Sequence, residues 1–187
     1  MYFLPASQKR LLNSLNPLVA VLFAFVLILL RSTMDPLLPS VLRHADIMLP
    51  FVVYLGQRRA LAEGLILSLF VSHLFSLCSA APIGVFTAQY LMLFMVARLL
   101  SYVIYANRWF SILFLMFALA IVSHFLLWAI ASLFGHGWGA FADGWGILGH
   151  AVLNALVGFA IYVGMSAVDR MTFKAPRINI ELGEGEL

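Results

Sequence analysis

Residues 58–84 read RRALAEGLILSLFVSHLFSLCSAAPIG. Two positive charges open the stretch, and it runs apolar from Leu65. Gly64, Ser68, Ser72 and Ser76 recur every fourth residue, a spacing that lays them on one stripe of a helix. Small residues on a stripe let a second helix approach closely inside a bilayer. The stretch therefore predicts a central transmembrane helix with a Gly/Ser packing face. His73 interrupts the apolar run beside that face. Ser79-Ala80-Ala81-Pro82 ends it, and Gly84 opens the next apolar run.

The composition agrees. Of 187 residues, 64% are hydrophobic and 10% charged, with a mean hydropathy of +1.02. Soluble domains are about half apolar and a quarter charged, and a chain of this length cannot hide so much apolar surface from water. The expectation is one integral membrane domain with no separate catalytic domain. The pI near 9.3 marks cytoplasmic loops rather than a nucleic-acid surface. Cys78 is the only cysteine, which excludes an intrachain disulfide and a cysteine metal cluster.

Outward from the central helix, hydropathy predicts an all-α, six-helix transmembrane bundle, with five spans as the alternative. Residues 1–16 form an interfacial or cytoplasmic tail, 17–170 the membrane domain and 171–187 a cytoplasmic tail. The first span is Pro17 to Leu30, borrowing Leu11 to Asn16 for length, with no cleavage site after it. The second, Ala45 to Gly56, is the weakest: Arg43 and Arg58 lie roughly 22 Å apart along a helix, thin for a core of about 30 Å. The others are the central helix, Ile83 to Leu100, Phe110 to Phe134 and Ile147 to Val168. A Gly/Trp segment at 135–146 precedes the last, with Trp138 and Trp145 suited to an interface.

Six spans with the N-terminus inside put nine of the eleven basic residues on the inner side and only Arg31 and Arg43 outside. Five spans with the N-terminus outside give the same ratio, so the positive-inside rule fixes only a cytoplasmic C-terminus. The basic tail at Lys9 and Arg10 favours six.

Polar residues within spans are candidate site residues. His73, Gln89, His124 and Asn154 come from four spans and share the outer half of the bilayer by residue count. They predict an intramembrane polar layer, which either glues helices together or lines a pocket. The five histidines show no metal-ligand spacing. No phosphate loop, nucleophile elbow or HExxH is present, so no catalytic residue, metal or cofactor is expected. Glu63 falls in the first turn of its helix, where the dipole favours an acid, four residues from Arg59. Arg98 is expected to snorkel.

The stretch from Leu37 to Tyr90 resembles the MreD family of bacterial rod-shape-determining membrane proteins. The likeness rests on the Leu-Pro connection ending at Pro39, on Asp46 in Ala45-Asp46-Ile47, on Tyr54 in a short span, on Glu63-Gly64 after a basic turn, on Pro82 and Gly84 opening the fourth span, and on Tyr90. The family often has glycines where Ser68 and Ser72 stand, and an aspartate where Ser76 stands. The resemblance implies a non-enzymatic subunit of the cell-elongation machinery in the bacterial inner membrane, embedded in the lipid bilayer. It implies association with an MreC-like membrane protein, and through it with the MreB cytoskeleton and the peptidoglycan-elongating synthases. The family is also distantly similar in fold to the substrate-binding subunits of energy-coupling-factor vitamin transporters. That likeness implies the alternative, a transporter subunit binding a small, vitamin-like molecule.

Overall fold

Among the described residues the shortest helix lies at the centre of the bundle. The computed structural model describes residues 6–34, 45–79, 82, 84–103, 109–133 and 144–174. These form six helices and no strands: α1 Ala6–Met34, α2 Met48–Arg58, α3 Leu61–Leu77, α4 Val85–Leu100, α5 Trp109–Leu133 and α6 Gly144–Met171. Three of them, α1, α5 and α6, are long and apolar enough to cross a membrane, over Leu11–Thr33, Trp109–Ile130 and Gly146–Met171. Helices α3 and α4 are shorter apolar helices.

Helix α2 has only 11 residues, a rise of roughly 16 Å. It reads MLPFVVYLGQR, and every side chain from Met48 to Gln57 is buried. A helix that is apolar all round has no face for solvent and belongs in a core. Accordingly α2 touches each of the other five helices. Pro50 is accommodated because it falls in the first turn, where its missing N–H has no intrahelical acceptor. Gly56 is needed for closeness: a Cβ there would lie 3.0 Å from both the Phe94 carbonyl oxygen and the Ala97 Cβ of α4.

Only Arg59 and Ala60 separate α2 from α3, both in extended conformations. The two helices therefore run as a tight antiparallel pair. The stripe of α3 is buried throughout, at Gly64, Ser68, Ser72 and Ser76. Its opposite face, with Ile66, Leu69 and Phe70, is exposed. A Cβ on Gly64 would come within 2.8 Å of the Phe94 ring of α4, so backbone and ring meet there directly. Gly84 precedes α4 with φ +99°, a left-handed conformation that a side chain disfavours.

Three differences from the sequence reading have physical causes. Helix α1 begins at Ala6, so residues expected in the tail continue the first helix through Pro17. Arg98 does not snorkel: it is 8% exposed, and its guanidinium donates to the Arg59 carbonyl oxygen. The expected weak span, α2, is the core helix. Pro39, His44, His136, Trp138, Asp143 and residues 175–187 lie outside the described residues.

The two ends of the bundle follow from long-range bonds. The Asn16 amide of α1 donates to Asp169 near the end of α6, 153 residues away. Arg59, at the start of α3, meets the same carboxylate. The N-terminal half of α1, the end of α2, the start of α3 and the end of α6 thus lie together at what we call the Asp169 end. At the opposite, Asp46 end, Arg31 of α1 donates to the Ala45 carbonyl oxygen ahead of α2, and Asp46 meets Tyr90 of α4.

Candidate functional site

Because α2 is short, polar groups fill the space beyond each of its ends. At the Asp169 end the Arg59 side chain is 0% exposed and pairs through Nη2 with Asp169 Oδ1 at 2.5 Å. The other Asp169 oxygen accepts from the Tyr54 hydroxyl of α2 at 2.5 Å. Asn16 also donates to the Thr172 hydroxyl. Glu63 lies 3.5 Å from Arg59 Nη1 without hydrogen-bond geometry, and its second oxygen accepts from Lys174 Nζ at 2.9 Å. Asp169 and Glu63 face Arg59 and Lys174 here, and Arg98, bonded to the Arg59 carbonyl oxygen, adds a further positive charge. The neighbouring Arg58 donates to the Tyr162 hydroxyl at 3.0 Å, and Tyr162 packs edge-on against Tyr54. Each group is held by partners from other helices, so this end is a clasp.

The Asp46 end holds a cavity of about 460 Å³, within the range of about 300–1,000 Å³ typical of small-molecule sites. Asp46 sits at its α2 wall. Ile47 already has helical dihedrals (φ −74°, ψ −18°), so Asp46 is the residue that caps α2. Its Oδ1 accepts from the Met48 and Leu49 amides at 3.0 and 3.1 Å, satisfying donors that a helix start leaves open. The same oxygen accepts from the Tyr90 hydroxyl at 2.9 Å. The Asp46 amide in turn donates to Asn154 Oδ1 of α6 at 2.6 Å.

Arg31 of α1 reaches the cavity, and helices α4, α5 and α6 supply the remaining polar lining. Gln89 Nε2 donates to the Ser123 hydroxyl at 2.8 Å and to the Ser123 carbonyl oxygen at 3.1 Å. His124 of α5 and His150 of α6 stand edge to face, with centroids 6.5 Å apart. Phe75, Phe86 and Tyr90 make an aromatic side to the cavity, their centroids 5.3 to 6.1 Å apart.

No protein-family model, curated protein or solved structure matches this chain. What the site does is therefore argued from its geometry.

Of the four residues assigned to a polar layer, Gln89, His124 and Asn154 line this one cavity. His73 does not: it is exposed on α3, turned away from the buried stripe. Among the residues carrying the family resemblance, Asp46 and Tyr90 meet at the cavity, and Tyr54 and Glu63 belong to the clasp. Pro82 accepts from the Val85 amide at 3.2 Å in the turn before α4. Sequence reasoning missed Arg31 and His150 as lining residues, and Asp169 as the centre of the clasp. Ser123 adjoins His124 in VSHFL, and that pairing was its one local signal. Among the described residues no cluster of three or more metal-ligand side chains forms.

Proposed function

We propose that this chain is a non-enzymatic, six-span subunit of the bacterial cell-elongation complex in the inner membrane. It supports rod shape and peptidoglycan synthesis through an MreC-like partner, and through that partner reaches the MreB cytoskeleton and the elongating synthases. One observation carries the reading. The polar residues that bear the MreD resemblance are committed to holding α2 in place: Asp46 caps it and receives Tyr90, while Tyr54 and Glu63 join the clasp at its other end. Side chains fixed in this way support the reading of a rigid intramembrane scaffold.

Six crossings fit the bond between Asn16 and Asp169. It brings the N-terminal half of α1 and the end of α6 to one end of the bundle, as an even number of crossings requires. With that end cytoplasmic, Arg58, Arg59, Arg98, Arg170 and Lys174 fall on the inner side, following the positive-inside rule. Helix α2 then occupies the middle of the bilayer, and the clasp and the cavity supply the remaining depth.

The test is isolation of the tagged protein from its native membrane. Co-isolation of an MreC-like protein and elongation synthases is expected. Co-isolation of ABC-type ATPases in their place refutes the scaffold and selects the transporter subunit.

A further inference from the structure

The clasp leaves Asn16 Oδ1, Arg59 Nε and Nη1 and Glu63 Oε1 unpaired between packed helices, whereas at the cavity an unpaired atom adjoins open space. Gln89 lines the cavity and is 2% exposed. Its amide nitrogen is engaged by Ser123, but its Oε1 is buried and accepts no hydrogen bond. An amide acceptor left unpaired in so dry a setting is costly, and buried polar atoms of this kind are normally paired. The Ser123 hydroxyl, 2.8 Å from the same amide, accepts there and keeps its own proton to donate. Acceptor and donor thus stand side by side. The aromatic side formed by Phe75, Phe86 and Tyr90 favours a flat ring, which packs against such groups by offset or edge contact. The cavity lining holds one carboxylate, Asp46, and one guanidinium, Arg31, a formal balance that favours an uncharged guest.

We propose that the cavity binds a small, flat, uncharged heteroaromatic molecule bearing an amide-like edge, whose N–H meets Gln89 Oε1 and whose acceptor meets the Ser123 hydroxyl. The site is independent of the scaffold reading: a scaffold subunit can carry a structural or regulatory ligand, and loss of one conclusion leaves the other standing.

The probe is nicotinamide, which carries this edge on a flat ring. Its control is 3-acetylpyridine, which has nearly the same shape and acceptor but no N–H. Binding to the full-length protein in lipid nanodiscs is followed by saturation-transfer NMR at millimolar probe. Saturable nicotinamide binding is expected, with 3-acetylpyridine about tenfold weaker because it leaves Oε1 unpaired. Gln89→Leu should bring nicotinamide down to the level of the control and leave the control unchanged. Ser123→Ala, which keeps the size of the side chain, should weaken both probes. Ala120→Phe, placed in the cavity wall, should abolish both. Absence of saturable nicotinamide binding by the folded protein, or equal binding of the two probes, overturns the proposal and leaves Gln89 to a trapped water. Should Gln89→Leu fail to fold, undiminished binding in both other variants overturns it equally.

Discussion

The Tyr90 hydroxyl of α4 donates to the Asp46 carboxylate at 2.9 Å, and that same oxygen caps the first turn of α2. Two residues 44 positions apart therefore fix both where the central helix begins and how α4 lies against it. Replacing Asp46 by Ala removes the cap and the Tyr90 acceptor together, an expected loss of about 2 kcal/mol. Asp46→Asn retains a side-chain oxygen of cap quality and should lose clearly less. Thermal unfolding of the two variants in one detergent provides the comparison, and equal melting temperatures for Ala and Asn would dismiss the capping role.

At the far end of α2 the burial of Arg59 sets the stakes. Its guanidinium has no exposure and its closest acid is Asp169. Asp169→Asn leaves that charge uncompensated, and breaking a buried pair from one side costs about 3–5 kcal/mol. Replacing both partners, Arg59→Met with Asp169→Leu, removes the stranded charge and should recover most of the loss. Arg59→Met alone, Asp169→Leu alone and the double variant form a cycle, read by denaturation midpoints. Additive effects would mean that the pair is not a coupled unit.

Glycine positions separate backbone contacts from side-chain contacts. At Gly56 an added methyl meets the Phe94 carbonyl oxygen and Ala97 Cβ at 3.0 Å, neither of which can yield without moving α4. Gly56→Ala should cost about 1–3 kcal/mol. At Gly158 the nearest atoms, all at 3.3 Å, are Met116 Cγ and Sδ and Pro50 Cβ; the methionine can yield but the proline ring of α2 only by a small shift, so Gly158→Ala should cost less than Gly56→Ala, about 1 kcal/mol. Along the α3 stripe, Ser72→Leu should behave like Gly56→Ala, since Ser72 is fully buried. Leu69→Met on the exposed face should be neutral. Equal tolerance at Ser72 and Leu69 would reject the stripe as a packing face.

The helical class and the buried stripe were legible because both are local: four small residues at fourfold spacing define a face without reference to anything distant. The same stripe also contained a warning about His73. That residue lies about 100° around the helix from Ser72, so equal depth did not place it on the inner face. Helix α2 was legible as a segment too short to cross a membrane unaided, but not as the helix that all the others pack around. Its place in the core depends on polar groups of α4 and α6 that meet it at each end, contacts far apart in sequence. Asp169 left no local trace. It adjoins Arg170, a topology marker, and its partners Asn16, Tyr54 and Arg59 lie 110 to 153 residues away. No spacing in a single sequence encodes such a meeting.

The Asn16–Asp169 bond also yields a test of topology. It puts the N-terminal half of α1 on the same side as the end of α6, whereas the five-span alternative needs the two ends of the chain on opposite sides. Cys78, at the far end of α3 from Glu63, is the native reporter: it is exposed and should react with a membrane-impermeant maleimide added outside spheroplasts. On a Cys78→Ala background, Ala6→Cys and Ala175→Cys should both be protected until the membrane is permeabilised. Position 6 makes the decision, because a cytoplasmic position 175 is common to both topologies. Labelling of Ala6→Cys from outside, with Ala175→Cys protected, would place the two chain ends on opposite sides and remove the six-span arrangement.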